Sequence, residues 1–306
     1  MKLYRLFILI LALYGNVLSA QQNISVKKIS ELNGISSGFR PVFISDKSIV
    51  YTDELNNALF LYDIKKKSAL NLCDDIGSGD HFIISDDGKN IAYKSYKMYE
   101  YGRRQSSVYI IDIETKVKKT IIQDVRELSS LDFQNGNLSF IHQQFLKEYS
   151  LNPEKKLKNG LLAFTDANLN LVAVENSKQN IINPLGKGNY IWVSVSPDGT
   201  KILFTKTGKG TFICNSKGED IINLGRLHAA KWSKDGKWII GMNDFDNGHK
   251  YTNSQIIMIS PDGKNRQILD LKNIKIALYP DLSSDNSNVV FNTETGKIYI
   301  LKLKYR

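Results

Sequence analysis

Val195-Ser196-Pro197-Asp198-Gly199-Thr200-Lys201-Ile202-Leu203-Phe204 contains a complete hairpin start. An apolar strand runs into Ser196. Pro-Asp-Gly then supplies the fixed and the positive φ of a tight turn, and Ile-Leu-Phe opens the partner strand. The same unit returns as Ile84-Ser85-Asp86-Asp87-Gly88-Lys89-Asn90-Ile91 and as Trp232-Ser233-Lys234-Asp235-Gly236-Lys237-Trp238-Ile239. Weaker copies begin at Ile44-Ser45-Asp46 and Leu282-Ser283-Ser284-Asp285, and the most degenerate is Asp132-Phe133-Gln134-Asn135-Gly136.

Each hairpin is followed by a third strand, of which Val108-Tyr109-Ile110-Ile111-Asp112 is the type, and then by a polar turn. Fourth strands such as Val117-Lys118-Lys119-Thr120-Ile121 follow in every unit but the last, which ends with its third strand at Arg306. The missing strand is available at the other end, where Ile24-Ser25-Val26-Lys27-Lys28-Ile29-Ser30 has the same composition. Fixed-period repetition of this kind marks a repeat architecture, and closing the ring removes the exposed edge. The expectation is an all-β, six-bladed β-propeller of four-stranded blades, closed by the N-terminal strand 24–30. Its blades would span 39–73, 80–123, 128–183, 190–225, 228–270 and 277–304, forming one domain over 21–306.

Composition agrees. With 42% hydrophobic and 10% aromatic residues the 306-residue chain is neither disordered nor collagen-like, and two cysteines cannot staple a small domain. The 41 Lys and Arg against 31 Asp and Glu favour anionic partners without specifying a fold.

Residues 1–20 read as a cleaved signal peptide. Lys2 and Arg5 precede the unbroken apolar run Leu6–Tyr14, and Leu18-Ser19-Ala20 ends in a small residue before Gln21. Nine apolar residues are too few for a span of about 20. With no cysteine at the cleavage point, a lipid anchor is not expected. A periplasmic or secreted protein follows, with no membrane span in the mature chain.

The hairpins at 196–204 and 232–240, with Ile259-Ser260-Pro261-Asp262-Gly263, resemble the WD-like propeller repeats of the TolB family. The resemblance covers about residues 24–306. The family's namesake carries an α/β domain before its propeller. Here only one strand fits between Gln21 and the first blade, so the resemblance is to the propeller alone. It implies a scaffold or binding role, and propellers of similar fold also include metal-dependent lyases of pectate fragments.

Propellers bind ligands where the first strands begin. The residues entering those strands include Arg40, Asp80, His81, Trp192, His228 and Tyr279. Two histidines, read as equivalent on blades two and five, fall short of an imidazole-rich metal site, so no metal and no cofactor is expected. A second candidate surface is the long hairpin of blade two, with Tyr96, Tyr99, Tyr101, Arg103 and Arg104, since Tyr and Arg are enriched at hot spots. The alternative is an extended hairpin with cross-strand tyrosine packing.

The stretch 143–159 reads as a surface excursion of blade three. Gly34-Ile35-Ser36-Ser37-Gly38 matches a nucleophile elbow in letters, but no strand and helix flank it. Asp244-Phe245-Asp246-Asn247-Gly248 reads as a turn. Cys73 and Cys214 fall on opposite sides of a six-fold ring, too far apart for a disulfide. No catalytic residues are assigned. The leading expectation is a monomeric, non-catalytic binding module with a protein partner in the cell envelope. The second is a propeller that binds or cleaves an anionic glycan at the channel mouth. Nucleic acid is not expected as a partner of an exported chain.

Overall fold

A computed structural model describes residues 23–134, 136–151 and 160–306, with the Tyr101 side chain excepted. The leader and its cleavage point lie outside the described residues. In chain order the closing strand β1 (Ile24–Glu31) comes first. Blade one holds β2 (Phe39–Ser45), β3 (Ser48–Thr52), β4 (Leu59–Asp63) and β5 (Ser68–Cys73). Blade two holds β6 (Phe82–Ile84), β7 (Asn90–Tyr99), β8 (Arg103–Asp112) and β9 (Lys118–Val125). Blade three holds β10 (Asp132–Gln134), β11 (Asn137–His142) and β12 (Phe145–Ser150), and blade four β13 (Leu162–Thr165), β14 (Leu171–Glu175) and β15 (Lys178–Ile181). Blade five holds β16 (Tyr190–Val195), β17 (Ile202–Lys206), β18 (Gly210–Cys214) and β19 (Ile222–Gly225). Blade six holds β20 (His228–Trp232), β21 (Ile239–Asp246), β22 (Tyr251–Ile259) and β23 (Arg266–Ile268). Blade seven holds β24 (Leu278–Leu282), β25 (Asn288–Asn292) and β26 (Ile298–Tyr305), completed by β1.

The all-β propeller stands, but it has seven blades among the described residues, of three or four strands, and not six of four. The stretch expected as blade 128–183 is two sheets. Phe145–Ser150, expected as part of a surface excursion, is a full strand paired with Asn137–His142, which also places His142 on a strand. The rest of that stretch, 152–159, lies outside the described residues. Leu171–Glu175 is a strand that the repeat did not mark.

Blade four is entered from the opposite end. Thr165, at the end of β13, accepts a hydrogen bond from the Ser130 N–H just before β10 begins. Leu161, at the other end, accepts one from the Gln134 side chain where β10 finishes. The inner strands β10 and β13 therefore run in opposite directions. Blade three has three strands among the described residues, and blade four begins on a strand that lacks the Ser-x-Asp hairpin start. Six hairpin starts thus accompany seven sheets.

Each blade meets the next through an apolar layer, and the two-residue period of the strands supplies both faces. Ile202 and Phe204 pack toward blade four, whereas Leu203 between them packs toward blade six. In β14, Leu171 and Ala173 face blade five while Val172 and Val174 face blade three.

The Ser-x-Asp turns form a small hydrogen-bond box. The Ser85 hydroxyl donates to Asp87 at 2.7 Å and accepts the Asn90 N–H at 2.9 Å. Ser196, Ser233 and Ser283 repeat it with Asp198, Asp235 and Asp285.

The ring closes as the composition of 24–30 predicts. β1 pairs antiparallel with β26, from Ile24 opposite Tyr305 to Glu31 opposite Tyr299. Asn23 and Arg306 exchange both backbone hydrogen bonds, at 3.2 and 2.9 Å. Asp281 stitches three blades, accepting the Phe43 N–H at 2.8 Å and the Lys231 ammonium at 2.9 Å. Cys73 in blade one and Cys214 in blade five are buried free thiols. They sit three blades apart, as nearly opposed as a ring of seven allows.

Candidate functional site at the channel mouth

Four inner strands carry the same irregularity at the same place. Register with the second strand slips between Phe39 and Val42, Ile191 and Ser194, His228 and Lys231, and Leu278 and Asp281. The residue after the first of each pair has positive φ: Arg40 at 50°, Trp192 at 50°, Ala229 at 48° and Tyr279 at 51°. A bulge re-aims a side chain, and left-handed backbone costs an L-residue about 1–2 kcal/mol. Here the bulges turn Arg40, Trp192 and Tyr279 onto the wall of the central cavity.

That cavity has a volume of about 660 Å³, within the range typical of small-molecule sites. Of the residues expected at strand starts and on the blade-two hairpin, Arg40, Asp80, His81, Trp192, Tyr279 and Arg104 line it together. His228 does not line it. Its ring packs at a tilt against Trp192, with centroids 5.6 Å apart, and its Nδ1 lies 2.6 Å from Asp244. The supposed equivalence of His81 and His228 therefore fails, because Ala229 holds the bulge position in that blade, which is the sixth and not the fifth. Asp244 is buried on β21 as the partner of His228, and only the following Asp246, Asn247 and Gly248 form the turn.

The blade-two hairpin runs beyond the mouth to a tip at Glu100–Gly102. Tyr96 belongs to the site indirectly, since its ring lies under the Arg104 guanidinium at 3.9 Å. A methyl group at Gly77 would stand 2.3 Å from that ring, so only glycine lets Tyr96 lie there. Tyr99 and Arg103 pair across the tip, exposed and off the cavity. Tyr101's side chain lies outside the described residues.

The sequence reading missed Lys94, Arg126, Glu127 and Asp166, which also line the cavity. Lys94 sits one residue after the fully buried Tyr93, so strand alternation alone turns it away from that core. Asp166 follows β13, in a blade the repeat did not reveal.

The cations of the mouth are not directly ion-paired, although Asp80, Glu127 and Asp166 share the cavity. Among the described residues no carboxylate lies within 4 Å of the cationic groups of Arg40, Lys94, Arg104 or Arg126. Enclosure by protein and then the charge of Arg104 push the Lys94 ammonium down to about 8, with Asp80 opposing. Enclosure first, then Lys94, Arg40 and Arg104, hold the His81 imidazole down at about 4. His81 faces channel water as well as protein, so the enclosure effect is weaker than for a sealed ring. Both causes nevertheless act toward a neutral imidazole at pH 7. Among the described residues no group of three or more His, Cys, Asp and Glu is placed to hold a metal ion. Gly34–Gly38 lies in the connection between β1 and β2 with no helix after it, so it is not a nucleophile elbow. Among the described residues no helix is long and apolar enough to cross a membrane.

No family model matches this chain, and no curated protein matches it. Solved structures match at the level of the fold. A chain in the crystal structure of the mitotic checkpoint complex is 14% identical with a TM-score of 0.60, covering 98% of both chains. The WD40 β-propeller domain of Doa1 is 12% identical with a TM-score of 0.61, covering 92% of this chain and 97% of that one. TolB from Acinetobacter baumannii is 14% identical with a TM-score of 0.50, covering 88% of this chain and 57% of TolB. This chain has the β-propeller fold common to them.

Proposed function

We propose that this protein is a non-catalytic binding module that takes an acidic partner at the mouth of its channel. One observation carries the reading. Three backbone bulges turn Arg40, Trp192 and Tyr279 into a single cavity, beside cations that form no direct ion pair with a carboxylate among the described residues. Bulges and left-handed backbone are costs that recur where a side chain must be aimed. Aromatic and arginine anchors are the residue types that dominate binding energy. The signal-peptide pattern of residues 1–20 supports a site of action outside the cytoplasm, with an envelope protein as the partner. An N-terminus at Gln21, read by mass analysis of the exported protein, tests that part.

The same unpaired cations support a second reading, an anionic glycan as ligand. One experiment separates the two. Wild type and a Trp192→Ala/Tyr279→Ala variant are used for affinity capture from envelope extract and for binding to uronate oligosaccharides. Capture of one protein that depends on both aromatic residues, without glycan binding, is the expected result. Uronate binding that depends on them would transfer the site to a glycan. Neither interaction, or both unchanged in the variant, would remove the mouth as the working surface.

A further inference from the structure

The blade-one and blade-two wall of the cavity differs from an ordinary basic patch in how its cations are held. The Arg40 guanidinium donates to the Asp80 carbonyl at 2.8 Å and lies 4.8 Å from the centre of the Tyr279 ring. The Arg104 guanidinium rests on the Tyr96 ring, itself seated on Gly77. The Lys94 ammonium donates to the Ser129 carbonyl at 3.0 Å. Each cation is oriented, yet each is oriented by a neutral group, a carbonyl oxygen or the face of a ring. Fixing a cation this way removes its conformational freedom and leaves its charge available. Three such cations around His81 repel one another, and a purely structural role would be better served by a carboxylate in direct contact with each. Asp80 turns its backbone carbonyl to Arg40 and makes no ion pair with it.

We propose that Arg40, Lys94 and Arg104 form a preorganised subsite for one doubly charged oxyanion group, a phosphate or a dicarboxylate, with His81 as a hydrogen-bonding neighbour. This deepens the binding-module reading by naming the chemistry of the group that the mouth accepts. Guanidinium groups match the geometry of carboxylate and phosphate oxygens, and the ammonium adds a point charge. The cavity is also lined by Glu127 and Asp166, beside the Ser129–Ser130 connection. Their charge disfavours a polyanion lying across the whole cavity and favours a ligand whose anionic group is confined to one end.

Calorimetric titration with sulfate, inorganic phosphate and succinate tests the subsite. Sulfate keeps its charge from pH 6 to pH 9, so its pH profile reports the protein. The charged groups facing Lys94 are Arg40, Asp80, His81 and Arg104, with Arg126 and Glu127 on the connection before β10. Of these, Lys94 is the group that loses charge near pH 8. Saturable binding is expected, weakened about 10-fold by Arg40→Gln or Arg104→Gln and unchanged by Arg103→Gln at the hairpin tip. Sulfate affinity should fall between pH 7 and pH 9 in the wild type and stay flat in Lys94→Met. A preference for sulfate and phosphate would assign a phosphate-class ligand, and a preference for succinate a carboxylate. No saturable binding of any of the three, or binding indifferent to both arginine variants with their folding intact, overturns the subsite. If aromatic-dependent capture persists while no anion binds, the subsite falls and the binding module stands. If sulfate binds and nothing is captured, the reverse holds.

Discussion

Lys94 shows what the site costs the fold. Its ammonium is held near 8 by enclosure and by Arg104, whereas an unfolded chain holds such a proton to about 10.4. Between those values the unfolded state binds more protons, so stability rises with pH across that window. At pH 7 the full penalty is present. Lys94→Met is therefore expected to raise the melting temperature at pH 7, by about 2–4 °C for each ~1 kcal/mol relieved. The gain should shrink as the pH approaches 10, and differential scanning calorimetry at pH 7 and pH 10 measures both. His81 acts in the same sense at lower pH. Its folded value near 4 lies below the unfolded 6.5, so it removes stability as the pH falls from about 6.5 toward 4. Stabilisation on deleting the half-buried Lys94 cation would fit a residue kept for binding.

At the scale of the element, the Ser-x-Asp box explains why the hairpin starts can be read. Ser196 is buried, and its hydroxyl serves both Asp198 and the Lys201 N–H. Ser196→Ala is expected to cost about 1–2 kcal/mol, seen as a lower midpoint in urea unfolding. The Ser196 hydroxyl, with burial opposing, and then the Thr200 N–H and hydroxyl hold Asp198 below the usual carboxylate range. That contribution is present above about pH 3.9 and lost as the pH falls through the folded value. The variant should therefore lose less stability on acidification than the wild type. The chemistry of the box made four of the six expected blade ranges legible, and blade one was read from its weaker Ser45-Asp46 copy. Blade four escaped because it opens on β13, which runs against its inner neighbour and has no box. Its second strand, Leu171–Val174, is buried on both faces, so it reads as a plain apolar run without alternation. The site was legible in part for a related reason. Arg40, Trp192 and Tyr279 stand at strand starts and align with the boxes. Lys94 lies within a strand, Arg126 and Glu127 lie in a connection, and Asp166 belongs to the blade that was not recognised.

At the scale of the molecule, the ring depends on one borrowed strand. Ile24, Val26 and Ile29 pack against the layer between blades six and seven, and β1 covers the edge of β26. Deleting residues 24–31 would remove three apolar side chains at about 1.5–3 kcal/mol each if fully buried. It would also expose a strand edge beside Leu301 and Leu303. The expected result is a cooperative loss of stability of several kcal/mol together with self-association, read by calorimetry and size-exclusion chromatography. A melting temperature within a degree of wild type would mean that the sheets hold without closure.

The mutual hydrogen bonds of Asn23 and Arg306 have a practical corollary. β1 leads toward the start of β2 at the mouth, so its own beginning, and with it Arg306, lies at the far end of the ring. A tag, dye or surface tether joined at Asn23 or at Arg306 would stand beside the other residue and away from Arg40, Trp192 and Tyr279. Immobilisation through one end leaves the cavity facing solution, and a short peptide linking the two ends would make new termini possible in any outer loop.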